Sequence, residues 1–301
     1  MRKRGAAMKS YANLTGYLFI SPFLFGFFLL TLYPALQSLY FSFTDYSLLE
    51  PGSWVGTDNY KRMFTADPNF SKSLGITFTY VIFAVPLKLM FALLVAIVLN
   101  KQIKGMSFYR TIMYLPSLIG GSIAVAVLWK NIFGAEGFIS KILALFGIEN
   151  MSMVTNPETA LSTLVLLQAW QFGSAMIIFL AGLKQIPKEL YEASAVDGAS
   201  KVRQFFSVTL TMLSPVILFN LILGLIGSFQ MFTQAFIITK GGPLKSTYMY
   251  ALYLYEKAFG AFQMGYASAL AWVLLLIIAA ATAINFAISK YWVFYESEGG
   301  K

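Results

Sequence analysis

Few polar side chains sit among the apolar residues of this chain, and those few could do chemistry. In segment 214–238, Asn220, Gly224, Gly227, Met231 and Gln234 recur at intervals of four, three, four and three, with Ser228 adjoining. On a helix that spacing lines them along one face. Two uses fit such a stripe: close helix packing in a bilayer, which favours Gly and Ser, or a polar cavity wall whose amides find partners there. Segment 159–182 adds Gln168, Trp170, Gln171, Phe172 and Ser174 near its middle. Rings beside amide donors and acceptors suit a sugar, whose apolar face stacks while its hydroxyls hydrogen-bond. Lys88, just after Pro86, is a lone charge in an otherwise uncharged stretch. It stands about 18 Å along a helix from Asn100, too deep to snorkel easily. It serves either a hydrogen bond to a neighbouring helix or attraction of an acidic substrate.

Other chemistries have no residues to run on. The chain has no histidine and no cysteine. That removes disulfides, the usual ligands for zinc or a redox metal, His-dependent triads and HExxH proteases. The nearest approach to a phosphate-cradling GxxxxGK[ST] loop is Gly241-Gly242-Pro243-Leu244-Lys245-Ser246. Its spacing is wrong, and its proline stands where backbone donors are needed. A net charge of +9 does not require nucleic acid, because Lys and Arg collect in the cytoplasmic loops of membrane proteins.

The elements that must position these residues follow from where charge is missing. Hydrophobic residues make up 58% of the chain and charged ones 12%. No Asp, Glu, Lys or Arg occurs in Ser10–Thr44, Thr111–Trp129, Thr159–Leu183, Gln204–Thr239 or Ala258–Ser289, and Ser73–Asn100 is broken only by Lys88. About 20 apolar residues cross a bilayer as a helix. An all-α membrane protein with six transmembrane helices is expected, at roughly 15–40, 74–99, 110–130, 159–182, 214–238 and 267–289. A soluble core rarely uses several such runs, and barrel strands would alternate in polarity. The first run is too long for a signal peptide and lacks a small-residue cleavage site, so it reads as a retained helix. Arg2, Lys3, Arg4 and Lys9, then Lys101, Lys104 and Arg110, place both termini in the cytoplasm, although loop 239–266 with Lys240, Lys245 and Lys257 dissents. The expected organisation is a tail over 1–13, a membrane domain over 14–290 and a tail over 291–301. Segment 138–147 reads as a short amphipathic helix at the outer surface.

Residues 184–213 read as a helix, a sharp turn and a second helix entering the membrane. Pro187 suits a first helical position, Glu189 and Glu192 suit the positive helix end, and Gly198 can take the left-handed turn. Tyr191, Ala195 and Ala199 share a face at four-residue spacing, which offers a small-residue surface for docking. An ordinary amphipathic connector would look the same.

The run Glu192-Ala193-Ser194, Asp197-Gly198-Ala199, Phe205, Leu210 and Pro215 resembles the EAA loop of binding-protein-dependent ABC permeases. Ser194 replaces the second alanine, and Thr211 stands where a proline is common. Val55-Gly56-Thr57-Asp58-Asn59-Tyr60, Arg110-Thr111-Ile112-Met113-Tyr114-Leu115-Pro116 with Trp129, Thr239-Lys240-Gly241-Gly242-Pro243 and Gly265-Tyr266-Ala267-Ser268-Ala269 are similar to the sugar-permease branch, nearest its maltose and glycerol-phosphate types. The resemblance implies a type I importer permease fold in the cell inner membrane. It implies that loop 184–213 docks on a separate ATPase through Tyr191, Glu192, Ala193, Asp197 and Gly198. It also points to substrate contacts at Gln171, Phe172, Ala175, Gly224, Gly227, Ser228 and Met231. The partners it implies are a second EAA-type permease, two ATP-binding subunits that hold ATP and Mg, a solute-binding protein and a carbohydrate. An ion-coupled secondary transporter is the alternative, but it predicts carboxylates within the spans, and the sequence has none there.

Overall fold

The computed structural model describes residues 16–101, 104–148 and 152–294. The expected tail 1–13 and most of 291–301 lie outside those residues. Among them the structure is helical, with a single isolated bridge between Thr44 and Trp54. Two compact units are formed, one by residues up to Ala66 with Tyr255–Val273, the other by Asp67–Leu254 with the chain from Leu274 onward.

In the first unit, α1 (Gly16–Phe41) carries a π-helical turn at Phe28–Leu32. Its large side chains, Phe19 and Leu30 among them, are exposed. That suits a helix whose solvent is hydrocarbon, since its backbone is satisfied internally. A short α2 (Asp58–Thr65) follows, and its Asn59 closes the preceding loop by donating to Ser42 O at 3.0 Å and Thr44 O at 2.8 Å. The Gly265 N–H donates to Tyr46 O at 2.8 Å, and a Cβ there would meet Thr44 O at 2.1 Å. Two sequence motifs far apart in the chain therefore build one loop. Within it, Asp45 accepts from the Ser53 N–H and hydroxyl, and the backbone bond holds its carboxyl below the ordinary 3.8.

The second unit is organised around α3 (Pro68–Leu99), which starts where Asp67 accepts from Asn69 N at 3.0 Å and Phe70 N at 3.3 Å. A capping aspartate followed by proline at the first position favours a start there. Next come α4 (Met106–Ile119), α5 (Ile123–Phe133), α6 (Phe138–Leu145), α7 (Ala160–Trp170), α8 (Gly173–Gln185) and α9 (Lys188–Val196). The short α10 (Lys201–Gln204) runs through a π turn at Phe205–Thr209 into α11 (Leu210–Phe229). After these come α12 (Thr233–Ile238) and α13 (Tyr250–Tyr255), and then the part of α14 (Met264–Ser289) from Leu274 onward. Helix α3 packs against α7, α8 and α11, and α8 also packs against α4 and α11. Small residues permit the approach, as is usual in lipid. A Cβ on Gly182 would meet Leu213 at 2.8 Å, and one on Gly173 would meet the Met113 carbonyl at 2.8 Å. Ala92, Ala96, Ala175, Met176, Phe179 and Leu213 fill the core between them.

Among the described residues five helices are long and apolar enough to cross a membrane, and the bent pair α7–α8 taken as one span makes six. Three of the expected spans, however, are not the straight helices the sequence implied. The span expected over 110–130 is interrupted at Gly120–Ser122. Helix α4 alone, at 14 residues, is about 21 Å long, short of the ~30 Å hydrocarbon core. The long apolar stretch there is Ile123–Leu145, whose far end is the short helix foreseen at 138–147. The span over 159–182 bends by 42° between Trp170 and Gly173. The span over 214–238 stops at Phe229, and α12 begins at Thr233.

Candidate functional site

The breaks decide which polar residues meet. A cleft of about 130 Å³ lies between α3, α7, α8 and α11. Lys88 from α3, Gln168 from α7, Ser174 and Ala175 from α8, and Asn220, Gly224 and Gly227 from α11 line it. Val85, Leu89, Ile178 and Leu223 complete its walls. Lys88 is half-buried, and among the described residues it donates to no protein acceptor and faces no carboxylate. The Asn220 amide turns back on its own helix, donating to Val216 O at 3.1 Å.

The α11 stripe divides between the two uses open to it. A Cβ on Gly224 would meet Val85 Cγ1 at 3.0 Å, so this glycine serves the α3–α11 contact. A Cβ on Gly227 would meet nothing within 4 Å, so this one opens the cleft. The stripe does not continue as read from spacing, because α11 ends before Met231 and Gln234. Met231 is buried and Ser228 is buried with its hydroxyl unpaired, and neither lines the cleft.

Gln171 and Phe172 occupy the bend between α7 and α8. There the Gln171 amide donates to Gly120 O at 3.0 Å, satisfying a carbonyl freed by the α4–α5 interruption. Trp170 packs against Trp129 with ring centroids 5.7 Å apart, and the Trp129 indole donates to Thr163 O at 3.0 Å. These aromatics hold α5 to α7 rather than facing the cleft. Spacing alone could have found Ile178, four residues after Ser174 on α8. Val85, Leu89 and Leu223 carried no signal, because an apolar wall residue looks like any other lipid-facing one.

At the end of the unit reached by Lys184, the loop 184–213 forms the helix and turn expected of it. Pro187 caps α9 in an extended conformation, one position before the helix, which begins at Lys188. Gly198 has φ +76°. The Ala199 N–H donates to Ser194 O at 2.9 Å and the Gly198 N–H to Ala195 O at 3.0 Å, the paired bonds of a Schellman ending. Ser200 then caps α10 by accepting from Arg203 N at 3.3 Å. Ala199 therefore lies past the turn and does not share a helical face with Tyr191 and Ala195. Tyr191 points inward: its hydroxyl lies 2.9 Å from Thr209 Oγ1, and Gln204 donates to its carbonyl at 3.1 Å. Glu192, Ala193, Asp197 and Gly198 are exposed. So are Leu190 and Val196, the latter at 89%, which makes an outward apolar row Leu190–Ala193–Val196 that four-residue spacing from Tyr191 does not reveal.

The glycine-rich run 241–246 is a locked loop. Thr247 donates to Gly242 O at 2.8 Å, Lys245 to Asn69 Oδ1 at 2.7 Å, and Lys72 to Leu244 O at 3.0 Å. The Gly242 N–H is spent on Thr239 O at 2.9 Å, so this backbone donor is not free for a phosphate.

The family profile of the "Binding-protein-dependent transport system inner membrane component" matches residues 65–291. The chain belongs to this family. The permease is 53% identical to the "Probable ABC transporter permease protein YesP" of Bacillus subtilis (strain 168), over 95% of this chain and 94% of that one. It is 35% identical to the arabinooligosaccharides transport system permease protein AraP of Halalkalibacterium halodurans, over 87% of this chain and 83% of that one. It is likewise 35% identical to the multiple sugar-binding transport system permease protein MsmF of Streptococcus mutans serotype c, over 86% and 89%. Its fold is similar to that in a crystal structure of a bacterial ABC transporter involved in the import of the acidic polysaccharide alginate. The TM-score is 0.80 at 21% identity, covering 96% of this chain and 99% of that one. The permease is thus a multi-pass inner-membrane protein, with the helical architecture the sequence predicted.

Proposed function

We propose that this permease forms half of the translocation pathway of an ATP-driven carbohydrate importer, most simply one for an oligosaccharide, and couples to a separate ATPase through loop 184–213. One observation carries the coupling role. Helix α9 presents Leu190, Ala193 and Val196 outward while Tyr191 and Gln204 tie its inner face to the base of α11. Apolar residues at intervals of three on an exposed helix outside the bilayer call for a groove on another protein. A rigid tie to α11 would carry motion of that groove to a cleft-lining helix. In this reading Glu192, Asp197 and Gly198 frame the docking helix, and Tyr191 anchors it. ATP and Mg belong to two copies of the partner ATPase.

Carbohydrate as cargo is supported by the names of the relatives, which include arabinooligosaccharide and multiple-sugar permeases. The cleft agrees with it, since amide, hydroxyl and ammonium groups line one side and aliphatic walls the other. Ala175, Gly224 and Gly227 stand among the contacts the resemblance implied, joined by Lys88, Gln168, Ser174 and Asn220. Phe172 and Ser228 would act from the ends of the pathway, whereas Gln171, tied to Gly120 O, and the buried Met231 would support its frame. At about 130 Å³ the cleft is small for a saccharide, which fits a site completed by a second permease. A solute-binding protein would deliver the sugar, as a periplasmic protein accompanies the alginate transporter. Lys101, Lys104, Arg110, Lys184 and Lys188 lie toward the α9 end, which supports placing that end in the cytoplasm. Arg2, Lys3, Arg4 and Lys9 separately support the same side for the amino terminus.

The test is Val196→Asp in the assembled transporter, followed as saccharide-stimulated ATPase activity and as retention of the ATPase on the purified permease. Both should fall while the permease itself remains in the membrane at its normal level. Full ATPase retention and stimulation in the variant would remove α9 as the docking element.

A further inference from the structure

At the end of the second unit where α3 stops and α4 starts, a pocket of about 720 Å³ is lined by Lys101, Lys104, Arg110 and Lys184, with Asn100 and Ser107. Four cations converge there, and among the described residues none is paired with a carboxylate. Arg110 spends one nitrogen on Leu99 O at 2.8 Å, while its Nε is buried without a protein acceptor. Directly adjoining is a second cavity of about 550 Å³ along α3 and α4, which shares Met106 with the first. Its walls are apolar, from Phe91, Leu94 and Val98 on α3 to Tyr109 and Met113 on α4. From Leu99 to Phe91 it follows α3 for about 12 Å at 1.5 Å per residue.

We propose that these two cavities together form a binding site for one anionic phospholipid of the cytoplasmic leaflet. Its phosphate sits among the four cations, and an acyl chain lies in the groove below. Basic residues at a cytoplasmic membrane face are common and alone identify nothing. Two features go further. The Arg110 guanidinium lines the pocket beside three lysines and spends only one nitrogen on Leu99 O, which leaves a planar donor group for phosphate oxygen. The cationic pocket also shares Met106 with an apolar groove that runs about 12 Å along α3, the order in which head group and chain occur in a phospholipid. A free phosphate would satisfy the pocket but leave the groove without purpose.

The experiment is native mass spectrometry of the purified transporter, titrated with dioleoylphosphatidylglycerol or dioleoylphosphatidylcholine. The wild type should retain phosphatidylglycerol selectively. Lys101→Ser/Lys104→Ser/Lys184→Ser, which spares Arg110, should lose retention by about fivefold per lysine, corresponding to about 1 kcal/mol for each cation near an anionic head group. Met106→Trp fills the junction without changing charge and should lose retention as well. Equal retention of both lipids, or of neither, overturns the proposal. Retention that falls in the lysine variant but survives Met106→Trp, with inorganic phosphate competing, means the pocket takes phosphate without chains and also overturns the lipid assignment. Thermal midpoints in phosphatidylcholine alone check that both variants remain folded.

Discussion

Replacing Gln171 with leucine should destabilise the permease rather than blunt its handling of cargo. The Gln171 amide donates to the Gly120 carbonyl at 3.0 Å, and that carbonyl lies in the interruption between α4 and α5. Leucine keeps the bulk against Gly120 and offers no donor. A carbonyl left unpaired away from water costs roughly 1–3 kcal/mol. Interhelical hydrogen bonds measured in membrane proteins average only about 0.6 kcal/mol, because the freed groups find other partners. The expected loss is therefore about 1 kcal/mol, nearer the lower bound, since a broken helix offers such partners. Gly120→Ala is the companion variant. Its Cβ would stand 2.4 Å from Gln171 and 2.6 Å from Pro116 O, so it should cost more and act on the same contact. Thermal unfolding of the purified transporter gives the midpoint, and uptake per folded transporter in proteoliposomes gives the function. Lower midpoints with unchanged uptake per folded molecule are expected. A Gln171→Leu protein with a normal midpoint and no uptake would refute the reasoning and return Gln171 to the substrate path.

Gly198→Ala places a Cβ in a left-handed residue that no neighbour crowds, so its cost is backbone strain alone, about 1–2 kcal/mol; saccharide-stimulated ATPase activity should fall while basal ATPase activity stays. Gly224→Ala must push Val85, whereas Gly227→Ala fills open space, so the thermal midpoint should drop for Gly224→Ala and hold for Gly227→Ala, which should change uptake affinity instead. For Asp45, the folded carboxyl is held below 3.8, so the loop stability it supplies is fully present above that value and is lost as pH falls through the folded one. Accordingly, an acid titration of loop protection by hydrogen exchange at residues 44–54 should show a transition in the wild type that is missing in Asp45→Asn.

Bilayer physics placed the apolar spans approximately, except over 110–130, where the long apolar stretch is Ile123–Leu145. Charge is too costly in hydrocarbon to be scattered through a span, so charge-free runs mark them. The left-handed turn at Gly198 was equally legible, because it depends on one residue lacking a Cβ. What spacing could not supply was where the helices break. The interruptions at Gly120–Ser122, at Gln171–Phe172 and after Phe229 depend on contacts between distant segments, such as the Gln171 bond to Gly120 and the seat of Gly173 on the Met113 carbonyl. No periodicity within one segment encodes those contacts. The breaks in turn shifted the polar residues out of the registers assigned to them. Ser174, Gln168, Asn220, Gly227 and Lys88 met in one cleft, while Gln171, Trp170 and Met231 were left to hold the frame. Residue types set which chemistry was available to this chain, and tertiary contact chose which of those residues face it.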